Sequence, residues 1–244
     1  MEALIFLDYL ALAVMLSFWL LYDRYAEYRS SKGSRSLIDI ANSMRAHWIH
    51  NFMQSKSQNR IVDAQMVNIL HRGISFFVSI TIFIIGGLIA ILNSGDAILL
   101  VLHKLPFYAE NIEQTWSVKV IFMIVVFVVA FFRLTWSLRQ SQYYAVAISG
   151  APCIEFNVKK NYELVEKIAN LMSDSSKNFN NALRSYYFGL SIMAWFVHPI
   201  AFIISSIVVV WVIYRREFHS ETLIMLDEIN HTYNQFSEDR KFPE

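Results

Sequence analysis

The sequence predicts an all-α membrane protein with four transmembrane helices and a layer of amphipathic juxtamembrane helices on the cytoplasmic side. The first observation is an uninterrupted run of thirteen apolar residues, Val120–Phe132, between Lys119 and Arg133. The second is the composition, 55% hydrophobic against 17% charged residues, which is typical of membrane proteins. The third is that lysine and arginine concentrate in two of the segments between the apolar runs. A net charge of +1 gives no support for nucleic-acid binding.

The apolar runs predict where the spans lie, and helical periodicity predicts helices in the segments between them. The third span is the clearest, because Trp116 and Trp136 lie about 30 Å apart along a helix, which puts each indole near a membrane interface. The fourth contains His198-Pro199, where we expect the proline to kink the helix. Residues 1–218 form one membrane domain and residues 219–244 a C-terminal tail. The spans are at about 4–22, 74–92, 118–136 and 188–214, and the cytoplasmic helices at about 37–53, 60–73 and 157–187.

The positions of the cations predict the orientation. The two internal segments, residues 23–73 and 138–187, carry fourteen lysines and arginines, whereas the external pieces carry five. The positive-inside rule therefore puts the N-terminus outside and, with four spans, the C-terminus outside as well. If the helix at His198-Pro199 were broken or re-entrant, the tail would be internal instead.

Three polar residues fall within the spans. Arg133 lies about one turn inside Trp136, where it either snorkels to lipid phosphate or pairs with Asp23 at the internal end of the first span. His198 is predicted near mid-depth, as a candidate for an ion or proton path or as a hydrogen-bond partner of a neighbouring helix. Asp8 sits near the external end of the first span, too far away to reach Arg133.

The internal segments carry further polar side chains at helical spacing. His47 and His50 are three residues apart and could share a metal ion, with His71 nearby if the two internal helices pair as a hairpin. They have no clear carboxylate or cysteine partner, so we expect no metal. The other polar residues either line a cytoplasmic vestibule or cap and cross-link the juxtamembrane helices. This cytoplasmic polar set comprises Asn42, Arg45, Asp63, Asn68, Asn178, Asn181 and Arg184.

Several of these residues belong to a familiar pattern. Trp48 stands between Arg45 and Asp63, and a span beginning SFFVS follows. Together with the segment NNALRSYYFGL and the ending YRREF, these features resemble the bacterial membrane-protein family called domain of unknown function 599. The likeness runs from Leu4 to Phe218. It implies an integral protein of the bacterial inner (cytoplasmic) membrane without an assigned activity.

No motif of a common enzyme class is present, since nucleophile elbow, P-loop, HExxH, dinucleotide fingerprint and CxxC are all missing. We therefore expect no catalysis of a standard kind and no cofactor. Gly86-Gly87 would let another helix approach closely, which favours self-association or a larger membrane complex. The first hypothesis is a homo-oligomeric channel or transporter that uses His198 and the cytoplasmic polar set. The alternative is a non-conducting accessory subunit, and the third a metal-dependent or lipid-processing enzyme.

Overall fold

A computed structural model describes residues 2–31, 36–54, 60–95, 112–151 and 159–239 of the chain. These residues form helices joined by turns and contain no strand, which confirms the all-α prediction. Four stretches are long and apolar enough to cross a membrane: Phe6–Ala26, Ile61–Asn93, Thr115–Ser149 and Pro199–Gln235. The helices are α1 (Glu2–Ser31), α2 (Leu37–Gln54), α3 (Arg60–Asn93), α4 (Ile112–Ser149), α5 (Lys159–Met193), α6 (Pro199–Phe218) and α7 (Glu221–Asp239), with a 3₁₀ turn, Ala194–Phe196, after α5.

Helix α2 begins at a capping box. The backbone N–H of Ser36 donates to Asp39 Oδ2 at 3.0 Å, and the backbone N–H of Asp39 donates back to Ser36 Oγ at 3.2 Å. Each side chain thereby satisfies a backbone donor that the first turn of a helix leaves without an internal partner. The start of α2 is thus fixed by local sequence.

The chain divides into two compact units, and each draws on several separate segments. The first unit comprises Met1–Glu27, Phe76–Thr135 and Phe179–Ile213. The second unit comprises Tyr28–Ser75, Trp136–Asn178 and Tyr214–Glu244.

The core of the first unit is centred on the C-terminal half of α5. Phe188 and Ile192 are fully buried, and so is Ser185. This half-helix also carries Arg184, which is 7% exposed, so its polar groups are covered by the surrounding helices. A helix enclosed in this way can hold polar residues within a membrane bundle because they face protein and not lipid.

The core of the second unit is an apolar cluster between α2, α4 and α5. Ile49 and Met53 of α2 pack with Tyr144 of α4 and with Ile168 and Met172 of α5 in this cluster. Apolar residues recur at helical spacing on each contributing face, and burying such a face is what stabilises an amphipathic helix outside a bilayer.

The fourth predicted span, residues 188–214, is not one helix. Helix α5 continues through the predicted start of the span and ends at Met193, and α6 begins only at Pro199. The prediction of a kinked continuous helix is therefore wrong. Proline is tolerated as the first residue of a helix, because the N–H it lacks would have had no internal partner there.

The C-terminal tail also differs from the prediction, because α7 packs on α2. Ser43 Oγ donates to Asn230 Oδ1 at 2.9 Å, and His47 Nε2 lies 2.8 Å from Asn234 Oδ1. Hydrogen bonds of this length cannot span a hydrocarbon layer of about 30 Å. This contact conflicts with the expectation that α2 is internal while the tail is external.

Candidate functional site

Two charged side chains of the first unit, Asp8 and Lys119, converge on the 3₁₀ turn between α5 and α6. The indole N–H of Trp195 donates to Asp8 Oδ1 at 2.5 Å, and the carbonyl of Trp195 accepts from Lys119 Nζ at 3.0 Å. The ammonium of Lys119 also lies 5.3 Å from the centre of the Trp195 ring, within the range of a cation–π contact. Lys119 is 4% exposed, and Asp8 is close enough to stabilise its charge. The cluster joins α1 and α4 to the turn.

His198 does not lie within a continuous span. It stands in the turn before α6, where its Nδ1 accepts the backbone N–H of Ile200 at 3.1 Å. This is the role of an N-cap residue, with Pro199 following at the first helical position. The placement of His198 inside an unbroken helix is wrong, and its Nδ1 is engaged in capping.

Arg133 and Arg184 both bond to Asn181 of α5. Arg133 Nη1 donates to the carbonyl of Asn181 at 3.1 Å, and Arg184 Nη1 donates to its side-chain oxygen at 3.2 Å. The guanidinium of Arg184 also lies 5.0 Å from the ring centre of Tyr22. The predicted partner of Arg133, the Asp23 side chain, lies outside the described side chains. These contacts join α4 and α5 and stack Arg184 on α1.

Two further polar contacts of α2 lie within the helix and toward α3. Arg45 Nη1 donates to Asn42 Oδ1 at 2.6 Å, and the indole of Trp48 donates to Asp63 Oδ1 at 2.6 Å. Burial lowers the pKa of the Arg45 guanidinium, and the nearby hydroxyl of Tyr144 partly offsets that effect. The Trp48 bond fixes the N-terminal part of α3 against α2.

Among the described residues, no third ligand lies near the weak metal candidates His47 and His50. His47 is bonded to Asn234 across the contact between α2 and α7. In the part of the chain that the structure describes, no group of three or more His, Cys, Asp or Glu is placed to hold a metal ion. The chemistry of the described residues therefore does not point to a metal centre.

A groove of about 630 Å³ lies in the second unit between the end of α2, the start of α3 and the end of α4. Of the cytoplasmic polar set, Asp63 and Asn68 line it, whereas Asn178 donates instead to Gln140 Oε1 of α4 at 2.8 Å. The sequence missed this groove because its α4 wall lies beyond the predicted third span. The lining residues are Phe52, Asp63, Ala64, Val67, Asn68, His71, Gln142, Ala145, Val146, Ile148 and Ser149.

A second feature is one face of α3. Ten residues recur every three or four positions along it, and every one of them is exposed. They fall within an arc of about 100° because successive helical residues turn by about 100°. Gln65, Asn68, Arg72 and Gly86 were visible in the sequence, but their alignment on one face was missed. We name it the α3 face: Ile61, Gln65, Asn68, Arg72, Phe76, Ser79, Phe83, Gly86, Ala90 and Asn93.

Comparison with known proteins identifies the family. Residues 10–222 match the model of the family described as "Protein of unknown function, DUF599". The chain belongs to this family. Searches of curated proteins and of solved structures found no match. Membership in DUF599 confirms the resemblance seen in the sequence, and the function must be argued from the geometry of the two features above.

Proposed function

We propose that this DUF599 protein is the subunit of a homo-oligomeric, channel- or transporter-like membrane assembly, in which the α3 face meets a second copy. The observation that carries the proposal is the exposure of this face along the whole of α3. The opposite side of the same helix is covered, since Ile74, Thr81 and Leu88 are buried. Among the described residues, one side of α3 is therefore used within the subunit and the other is not.

Within the apolar part of α3, the exposed face carries small residues beside large ones. Phe83 is 80% exposed, and one turn later a methyl group at Gly86 would meet no described atom within 4 Å. Ala90 lies four residues beyond Gly86, giving the small-xxx-small spacing through which membrane helices approach closely. The face thus offers a large side chain and an adjacent gap to an identical helix.

The length of α3 adds a second argument. Its 34 residues extend about 50 Å, which exceeds a hydrocarbon thickness of about 30 Å. The N-terminal part bears Gln65 and Arg72 together with Ile61, which is 78% exposed, and Ile69, which is 60% exposed. A surface that mixes polar groups with aliphatic side chains suits a contact between subunits better than lipid or water alone.

We further propose that the N-terminus lies outside an inner membrane and that the second unit is cytoplasmic. Because α7 packs on α2, the four cations of residues 215–244 move to the internal count. Arg184 belongs to the first unit and leaves that count, which becomes seventeen against one external cation. This distribution follows the positive-inside rule more closely than the predicted topology does. It also moves Arg215 and Arg216 to the side where such residues are favoured.

Flux through reconstituted protein tests the conducting role. Liposomes with an outward K⁺ gradient, valinomycin and an internal pH dye report proton entry. We expect the protein to exceed empty liposomes and Gly86→Trp to abolish the excess, because the indole would fill the space between subunits. Val208→Trp is the matched control, since Val208 is 50% exposed on α6. Wild-type flux at the level of empty liposomes would contradict a proton-conducting role.

The second candidate function is a non-conducting accessory subunit. It is favoured by the structural bonds that engage the predicted intramembrane residues: Asp8 holds Trp195, Arg133 holds α5 and His198 caps α6. In that case flux stays at background and a foreign subunit occupies the α3 face. Gly86→Trp would then reduce recovery of that subunit and leave flux unchanged.

A further inference from the structure

We propose that the groove of the second unit binds an apolar organic cation, with the Asp63 carboxylate as its counter-ion. The proposal goes beyond the assembly argued above. The two surfaces share Asn68, but the acid and the apolar walls of the groove do not belong to the α3 face. The volume of the groove, about 630 Å³, is within the range of about 300–1,000 Å³ that is typical of small-molecule sites.

Charge decides the class of ligand. Asp63 is an acid, and none of the described lining residues is lysine or arginine. The basic groups at the groove are His71 in its lining and Arg72, whose Nε donates to Asn68 Oδ1 at 3.1 Å. A phosphate or carboxylate ligand is normally bound by lining lysine or arginine side chains, so the groove disfavours anions. The carboxylate accepts the Trp48 indole N–H at 2.6 Å, and this donor orients Asp63 without adding a positive charge.

The side chains that line the groove determine the polarity of the rest of the ligand. Phe52, Val67 and Ile148 supply an apolar surface, and Asn68 and Gln142 supply amide groups near the acid. An apolar body gains free energy by leaving water for such walls, and an aromatic ring tolerates a neighbouring positive charge. A hydrated metal ion or a sugar would leave the apolar walls without a partner. The groove therefore fits a hydrophobic molecule with one positive charge.

Binding of tetraphenylphosphonium tests the proposal directly, with tetraphenylborate as an anion of nearly the same shape. Purified full-length protein in detergent micelles is titrated calorimetrically, and empty micelles are subtracted. We expect saturable binding of the cation and at least tenfold weaker binding of the anion. Equal affinity for both ions, or no saturable binding, would overturn the proposal.

Two variants identify the site. Asp63→Asn keeps an oxygen that can accept from Trp48 but removes the charge, so the Kd for tetraphenylphosphonium should rise about tenfold. Asp174→Asn is the control, since Asp174 is an exposed aspartate on α5 that does not line the groove. Unchanged affinity in Asp63→Asn would contradict the assignment.

The second variant, Ala145→Phe, fills the groove from the α4 wall without changing any charge. It should also weaken cation binding, and it serves alone if Asp63→Asn does not fold. Retention of full affinity in this variant would place the cation elsewhere. Thermal unfolding of each variant is compared with wild type, so that loss of the fold is not mistaken for loss of the site.

Discussion

Trp195 shows how single residues fix the first unit, because it bonds to both Asp8 and Lys119. We predict that Lys119→Met lowers the free energy of unfolding by about 2–3 kcal/mol, since it leaves the Trp195 carbonyl without its donor and Asp8 without a nearby cation. Thermal or denaturant unfolding in micelles measures the loss. The exposed Lys167 of α5 gives the control, and Lys167→Met should change stability by less than about 0.5 kcal/mol.

The double variant Asp8→Asn with Lys119→Met separates charge from packing. Removing both charges should restore part of the lost stability, because no uncompensated charge remains in the bundle. If Lys119→Met is as stable as wild type, the cluster at the turn does not brace the fold.

Gly189 and Gly86 allow a second comparison of single residues, because added methyl groups there meet different surroundings. A methyl group at Gly189 would come within 2.9 Å of the Phe127 ring, which is 4% exposed and in edge contact with Tyr186. We predict that Gly189→Ala destabilises the protein by about 1–3 kcal/mol through overpacking. Gly86→Ala should leave the isolated subunit as stable as wild type or more so, because alanine is the better helix former and the methyl group meets no described atom.

Unfolding of both glycine variants in detergent, at a dilution that keeps subunits apart, measures this difference. A stable Gly189→Ala would mean that Phe127 can shift, and a destabilised Gly86→Ala would mean that its side of α3 is covered within the subunit.

At the scale of helices, the break between α5 and α6 determines the topology. Ser205 Oγ of α6 donates to the carbonyl of Ser191 of α5 at 3.1 Å, whereas a continuous helix would hold these two residues about 21 Å apart. Phe179–Met193 and Pro199–Ile213 are each about 22 Å long as helices. The turn between them bonds to Asp8 and Lys119, both predicted near the external surface. We infer that α5 and α6 form a hairpin.

Cysteine labelling tests this topology. In a Cys153→Ser background, single cysteines replace Glu228 on α7, Glu166 on α5 and Ser94 after α3, all of which are exposed. With a membrane-impermeant maleimide, Glu228→Cys and Glu166→Cys should react from the same side and Ser94→Cys from the opposite side. Joint labelling of Glu228→Cys and Ser94→Cys would contradict the hairpin.

The sequence predicted some elements better than others, for physical reasons. The capping box at Ser36 and the apolar run of α4 are local signals, and both appear in the structure. The break at residues 194–198 is hidden because apolar residues continue on both sides of it and Pro199 suits a helix start as well as a kink. Asn230 meets Ser43 from 187 residues away, and no local pattern encodes such a contact.

At the scale of the whole molecule, the proposed assembly depends on what covers the α3 face. Its components could be read from the sequence, because Gln65, Asn68, Arg72 and Gly86 follow one helical period. The exposure of this face could not be predicted from the sequence, because a face buried inside the subunit would show the same helical period. The structure separates the two cases, since Thr81 and Leu88 on the opposite side are the buried ones.

The most direct test of the central claim is a cysteine cross-linking scan of α3 in native membranes, in the Cys153→Ser background. Single cysteines at residues 76–93, and one at Ile204 as a control, are oxidised, and the yield of covalent dimer is measured. We expect maxima at Ser79, Gly86 and Ala90 and little dimer at Ile91, which is exposed on another side of α3, or at Ile204 on α6. Uniform yields, a maximum at Ile204, or no dimer at any position would contradict the proposed contact between α3 faces.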